Sequence, residues 1–111
     1  NMHRPCALHI TEDDEQLVLI GQLPASLDVN IRYPNLGCCI TIHSLEGRQL
    51  ARFGDSFPGE DTPEQVLAPH GFAVDSRGDI YMGEVSYTFF GSQQAPPRDV
   101  RCLRKLIKVQ D

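Results

Sequence analysis

The feature that most constrains this chain is an internal repeat, because the same pair of predicted strands occurs twice. Residues 4–11 and 17–22 correspond to residues 68–75 and 79–84. Pro5 matches Pro69 and Gly21 matches Gly83, with a small length difference in the turn between the two strands. Repeats of about 40–50 residues, each built from several strands, are typical of propeller blades and other repeat arrays. These repeats are longer and therefore carry extra loop.

The second copy contains the clearest hairpin of the sequence. Phe72 and Val74 fall on one face of its first strand, and Ile80 and Met82 fall on one face of its second strand. This alternation with a period of two residues predicts strands. Between the strands, Asp-Ser-Arg-Gly at residues 75–78 favours a tight turn, since Asp binds nearby backbone and Gly accepts positive φ.

The same reasoning along the chain predicts seven strands and an all-β fold. They are expected at residues 6–10, 17–21, 38–43, 49–53, 71–74, 79–82 and 103–109, with one helical turn at 64–66. We expect about two consecutive four-stranded antiparallel blades of a β-propeller, of which the second lacks its outer strand. Residues 1–67 would form the first blade, and residues 68–111 the second, incomplete one.

Loop lengths predict where function would reside. In an up-and-down meander, alternate connections lie at the same edge of the sheet. The short turns near residues 13–15, 44–47 and 76–78 fall at one edge, and the long connections 23–36, 54–67 and 85–101 at the other. Binding residues concentrate on loops held by a rigid scaffold, so the long-connection edge is the expected functional face.

Composition excludes several classes of function. The chain has 111 residues with a net charge of −5, 41% hydrophobic and 23% charged residues, which is typical of a soluble globular protein. No apolar run reaches the ~18 residues of a membrane span, and scattered basic residues give no nucleic-acid footprint. Two blades do not close a ring, and no signal peptide is recognised. We therefore expect a piece of a longer polypeptide, with the remaining blades as its partners.

One family resembles this sequence. Residues 69–84, with the sequence Pro-His-Gly-Phe-Ala-Val-Asp-Ser-Arg-Gly-Asp-Ile-Tyr-Met-Gly-Glu, resemble an NHL repeat, and residues 101–109 fit the same pattern. More narrowly, they resemble the bacterial relatives of peptidyl-α-hydroxyglycine α-amidating lyase. The resemblance implies a six-bladed propeller in which three histidines from different blades hold a zinc ion, and it covers nearly the whole chain.

His70 is the candidate metal ligand. In the amidating lyases a Pro-His pair at this place supplies one zinc ligand, and Pro69-His70 matches it. Ala68 and Gly71 depart from the Met and Asp that the family tends to have beside the pair. The alternative is a channel-lining histidine that is bonded to a carbonyl or to water.

The four cysteines include a second metal candidate. Cys6 holds the position of His70 in the first repeat, so a zinc ion shared by the two is one hypothesis and a small buried thiol is the other. Without a C-x-x-C pair, the default is four free, mostly buried thiols. Calcium is not supported, because Asp28, Asp55 and Asp61 do not have the spacing of a calcium loop.

Glu84 and Tyr87 are the candidate substrate-binding residues, since both follow a predicted strand at the long-connection edge. The alternatives are a polar residue that ends a strand and an aromatic ring that packs under its own loop. No catalytic residue is assigned. Two hypotheses remain open: a metal-dependent lyase-like propeller acting on a peptide or small molecule, and a non-catalytic propeller that binds peptide, sugar or protein.

Overall fold

The chain forms two antiparallel sheets that follow one another in sequence. A computed structural model describes residues 2–31, 33, 36–54 and 62–110. The first sheet contains β1 (Pro5–Ile10), β2 (Val18–Gln22), β3 (Cys39–His43) and β4 (Gln49–Phe53) in that order. The second contains β5 (Pro69–Val74), β6 (Ile80–Glu84) and β7 (Leu103–Leu106), also in order. The predicted all-β fold, with sheets of four and three strands, is confirmed.

The last strand was predicted to extend to residue 109 but ends at Leu106, whereas the other strands agree with the prediction to within two residues at each end. The remaining differences lie in the connections. One-turn helices α1 (Asp28–Ile31) and α2 (Ser86–Phe89) and a 3-10 turn (Gly91–Gln93) were not predicted. The helical turn expected at 64–66 is absent there, because residues 63–64 form a simple turn and 65–68 are non-helical. Part of the second long connection, residues 55–61, lies outside the described residues. In the part of the chain that is described, no helix has the length and apolar character needed to cross a membrane.

The repeat seen in the sequence is also a repeat in strand register. Pro5 faces Gln22 and Ala7 faces Gly21, so Cys6 is the extra residue of a β-bulge. The second sheet has the same irregularity: Pro69 faces Glu84 and Gly71 faces Gly83, which leaves His70 as the extra residue. A bulge residue is left out of the regular ladder and locally redirects the strand. His70 therefore lies inside β5 rather than before it.

The two sheets pack face to face. Ile40 of the first sheet, Met82 of the second and Val66 from the connection between them form a buried cluster. Phe53, Phe72 and Leu106 are partly buried against this cluster. These six side chains join both sheets into one apolar interior.

Gly21 allows the closest approach between the sheets. A Cβ atom placed on Gly21 would lie 2.9 Å from Cβ of Ala7, 3.0 Å from Cβ of Pro69 and 3.1 Å from Cζ of Phe72. A side chain therefore does not fit between β2 and β5. At Gly83, the equivalent position of the second sheet, the same test meets no atom within 4 Å among the described residues.

Strand order fixes the two edges of each sheet. Successive strands are antiparallel neighbours, so the short turns lie at one edge and the long connections at the other, as predicted. Each long connection contributes a buried residue: Val66 joins the core, and Leu23 and Phe90 are 8% and 6% exposed. The starts of β1 and β5 and the ends of β2 and β6 lie at the long-connection edge.

Replacing Gly21 by Ala should destabilise the protein by about 1–3 kcal/mol, since the added methyl group overpacks the contact with Pro69 and Phe72. The matched control is Gly83→Ala, for which we expect a change of at most about 1 kcal/mol in either direction. Urea unfolding at low protein concentration measures both variants. Equal stability of the two variants would contradict the described packing of β2 on β5.

Candidate functional site

The candidate residues gather where strands meet the long connections. Cys6 and His70 occupy the bulges near the starts of β1 and β5. Gln22 and Glu84 end β2 and β6 beside them. The repeat therefore places one bulge residue and one polar strand-end residue at equivalent positions of each sheet, and the two copies differ in chemistry.

His70 is the exposed member of the set. Its strand β5 begins with buried Pro69, whereas His70 itself is exposed to solvent. Because Cys6 and His70 occupy the same bulge position, the imidazole stands on the second sheet where the Cys6 thiol stands on the first. An exposed imidazole at this edge has the chemistry of a metal ligand or of a hydrogen-bond donor.

The Cys6 thiol is already engaged within the protein. Its Sγ lies 2.9 Å from the carbonyl oxygen of Pro69, to which the thiol donates a hydrogen bond between the sheets. Burial raises the pKa of the Cys6 thiol above its ordinary value, and the charge of Arg4 only partly offsets this effect. In this arrangement the thiol is a hydrogen-bond donor within the fold, and the predicted role of Cys6 as a zinc ligand stays a prediction.

Within the described ranges no group of three or more His, Cys, Asp and Glu side chains is placed to hold a metal ion. His70 thus offers one side chain that suits zinc. Among the described residues it does not belong to a group of three or more possible ligands. Zinc sites in proteins use three or four protein ligands. A metal at this position therefore requires ligands from outside the described part of the chain.

Glu84 lies in a buried hydrogen-bond network. Its Oε1 accepts hydrogen bonds from the backbone N–H of Leu67, at 2.7 Å, and of Ala68, at 3.3 Å. Its Oε2 is 3.3 Å from Nε of Arg104, in an ion pair whose side chains are 0% and 5% exposed. Glu84 thus holds the incoming connection against β6 and β7. Both carboxylate oxygens of Glu84 therefore already have partners in the fold. The predicted contact of Glu84 with substrate stays a prediction.

Arg104 completes this network from the neighbouring strand. Besides pairing with Glu84, its guanidinium donates hydrogen bonds to the carbonyl oxygens of Pro63 and Gln65. Arg104 was not predicted as a site residue, because it lies in a locally basic segment for which a solvated strand face is the simpler explanation. The signal that would have identified it is the strand register, since Arg104 faces Met82, two residues from Glu84.

Gln22 forms the corresponding network in the first sheet. Its Oε1 accepts a hydrogen bond from the N–H of His3 at 2.9 Å, and its Nε2 donates to Oγ1 of Thr41 at 3.3 Å. Thr41 faces Ile20 in the first sheet, and Arg104 faces Met82 at the same register position of the second sheet, so Thr41 and Arg104 are equivalent residues. Both repeats therefore use one strand-end amide or carboxylate to connect the entering segment with the third strand.

Tyr87 is placed at the surface. It lies in α2, and 51% of the residue is exposed. The neighbouring rings are used within the fold, since Arg4 lies 5.5 Å from the centre of the Phe89 ring and Arg98 lies 5.9 Å from that of Phe90. Among the three aromatic residues of this connection, Tyr87 is the most exposed, since Phe89 is half-buried and Phe90 is buried. Its predicted role in substrate binding stays a prediction.

A cleft that the sequence did not indicate lies at the opposite, short-turn edge. It has a volume of about 490 Å³ and runs between the first turns of the two sheets, with His9, Asp13, Asp75, Arg77 and Lys108 in its walls. Most of these charged side chains already bind groups within their own turn. Asp13 accepts from Thr11 Oγ1, and Asp75 accepts from the N–H of Arg77 and pairs with its side chain. The polar side chains in the cleft walls therefore serve mainly to hold the two turns in shape.

Cys38 and Cys39 are buried thiols of the scaffold. Cys38 has a positive φ of 51° and donates through Sγ to the carbonyl oxygen of Leu67, at 3.0 Å. Burial raises its pKa to about 12, and burial also raises the pKa of Cys39. All four cysteines are free, with Cys6 and Cys102 exposed. The default expectation of free thiols is met, although only two of them are buried.

The substitution Glu84→Gln should destabilise the protein by about 3 kcal/mol, since it removes the charge that compensates buried Arg104. The acceptor for the N–H of Leu67 remains, so the loss reports mainly on the ion pair. Arg77→Met is the control, because its side chain is 70% exposed and surface pairs contribute at most about 1 kcal/mol. Urea unfolding gives both values. A cost for Glu84→Gln no larger than the control would contradict the role of this network.

The cysteines should separate into two classes when treated with an aromatic disulfide reagent. At pH 8 we expect the exposed Cys6 and Cys102 to react in the folded protein, with Cys6 slowed by its raised pKa, and the buried Cys38 and Cys39 to react only on unfolding, because the reagent must reach a thiolate. The Cys38 pKa of about 12 exceeds the ordinary 9.0, so burial stabilises the neutral thiol. That contribution to stability is present below pH 9 and is lost as the pH rises toward 12. Peptide mapping by mass spectrometry identifies the labelled residues, and rapid native labelling of Cys38 would contradict this assignment.

The chain was compared with protein-family models, with curated proteins and with solved structures, and nothing in these three comparisons matches it.

Proposed function

We propose that this chain forms two consecutive blades of an NHL-type β-propeller that resembles the amidating lyases, and that His70 supplies one ligand of a zinc site. The remaining ligands would come from other blades of the same ring. The substrate would be a peptide or a small molecule bound at the long-connection edge, where Tyr87 is exposed.

The observation that carries the proposal is the position of His70. It is an exposed residue in a bulge of a first strand, at the edge where the long connections lie. Pro69 before it is buried and fixes the direction of the chain. Since bulges redirect side chains and are common beside active sites, the geometry presents an imidazole at a fixed place on a rigid strand.

The arrangement of two successive sheets supports the propeller. They pack face to face, and their equivalent first strands β1 and β5 lie close enough for Cys6 to donate a hydrogen bond to Pro69. First strands side by side are what a ring of blades around a central channel requires.

Each residue has a limited part in the proposed site. A bound zinc ion would act as a Lewis acid and lower the pKa of a bound water or hydroxyl. His70 would hold the metal through one ring nitrogen and orient it through the hydrogen bond of the other. Glu84 would keep the strand end rigid through Leu67 and Arg104, and Tyr87 would contact the substrate.

A second candidate function is favoured by a specific observation. Cys6, at the position equivalent to His70, donates to a carbonyl of the next sheet rather than to a ligand. If His70 only donates such a hydrogen bond to a following blade and holds no metal with its other ring nitrogen, the protein is a non-catalytic propeller that binds peptide, sugar or protein at the long-connection edge.

Substitution of His70 separates the two functions. In the polypeptide that contains the complete proposed ring, His70→Ala should weaken zinc binding more than about 100-fold, beyond the cost of losing an outer hydrogen-bond partner of a ligand. Its stability should fall by only about 1 kcal/mol, since few apolar contacts are lost. Elemental analysis and thermal unfolding measure the two effects, with His9→Ala as the histidine control from the other edge. Unchanged zinc content in His70→Ala would reject the ligand role and leave the binding scaffold.

A further inference from the structure

The two sheets use opposite faces to contact one another. The first sheet presents Ala7, Gly21 and Ile40, and the second presents Phe72 and Met82. Strand register identifies Phe72 and Met82 as the equivalents of Leu8 and Ile20, which lie on the other face of the first sheet. The contact is therefore heterologous, because it joins one kind of face to a different kind.

The outer face of the second sheet is the equivalent of the contact face of the first. It carries Gly71 and Gly83 at the positions of Ala7 and Gly21, together with Ala73 and Leu103, all of them exposed. Among the described residues no atom lies within 4 Å of a Cβ placed on Gly71 or Gly83, whereas Pro69 and Phe72 lie close to Gly21 of the first sheet. We call this surface the outgoing face.

The outer face of the first sheet is the equivalent of the surface that the second sheet uses. Leu8 is 69% exposed and Ile10 is 47% exposed, and Val18 and Ile20 beside them are half-buried. Register places Leu8 opposite Ile20 and Ile10 opposite Val18, so the four side chains form one apolar patch. We call this patch the incoming face.

We infer that a second copy of this chain docks its incoming face on the outgoing face, and so continues the contact already made between the two sheets. Leu8 of the second copy takes the place of Phe72 and packs over Gly71 and Gly83. His70 takes the place of Cys6, and its imidazole N–H donates a hydrogen bond to the carbonyl oxygen of Pro5 in the second copy.

The two outer faces are complementary, which favours a second copy of this chain as the partner. Each chain carries one face of each kind, and the interface within the chain shows how they fit. Leu8 and Ile10 expose contiguous apolar surface on the incoming face, and contiguous exposed apolar surface is a mark of an interaction site. A heterologous contact leaves one face of each kind free at the ends, so copies add head to tail until a ring closes or a filament grows.

Two variants, each with one face blocked, test this inference on the 111-residue chain. Leu8→Glu blocks the incoming face, and Gly83→Glu fills the open space of the outgoing face. We expect the unmodified chain to form assemblies in multiples of 12.4 kDa and each variant alone to be monomeric. An equimolar mixture of the variants should form a 1:1 dimer and nothing larger, because one intact face remains on each. Light scattering after size exclusion gives the masses.

The control is Leu45→Glu, which changes an exposed leucine in the β3–β4 turn and should leave assembly unchanged. Circular dichroism establishes that all three variants are folded. Assembly that persists in Leu8→Glu and Gly83→Glu would overturn the inference in favour of pairing between strand edges. Self-association of either blocked variant alone would overturn it in favour of a symmetric contact.

An unmodified chain that stays monomeric at high concentration would also overturn the inference, and would leave the two faces to further repeats of a longer polypeptide. The inference rests on sheet packing and requires no metal. Its failure would therefore be distinguishable from the failure of the zinc proposal, which is decided by the metal content of His70→Ala.

Discussion

The structure depends on the absence of a side chain at Gly21. Because β2 has only backbone at this point, Pro69 and the Phe72 ring approach it at van der Waals distance, and two separate sheets share one interior. Ile40 and Met82 are then buried against each other together with Val66. A sheet of three or four strands needs an apolar partner to be stable, and here each sheet supplies that partner for the other.

Polar contacts at the strand ends hold the connecting segments against the sheets. Gln22 and Glu84 do the same task with different chemistry: each accepts a hydrogen bond from the segment that enters its sheet and binds a residue of the third strand. Thr41 suffices for a neutral amide, whereas the buried carboxylate of Glu84 is matched by the cation of Arg104. The polar partners therefore differ between the two repeats, whereas the strand register is the same.

The strands were predictable from the sequence because their information is local. Alternation of apolar residues and the turn at residues 75–78 located β5 and β6, and Gln49–Phe53 agrees at both ends. The one-turn helices and the Glu84–Arg104 pair were not predictable, since both depend on what packs against them. Of the candidate site, the sequence located His70, but its exposure and its equivalence to Cys6 as a bulge residue required the strand register.

The repeated bulge separates chemistry from folding. Because Cys6 and His70 stand outside the regular ladder, one repeat carries a thiol and the other an imidazole with the same pairing on either side. Such a position accepts different side chains without a change of register. A scaffold with one such position in every repeat can acquire or lose a reactive group one residue at a time, while its framework stays constant.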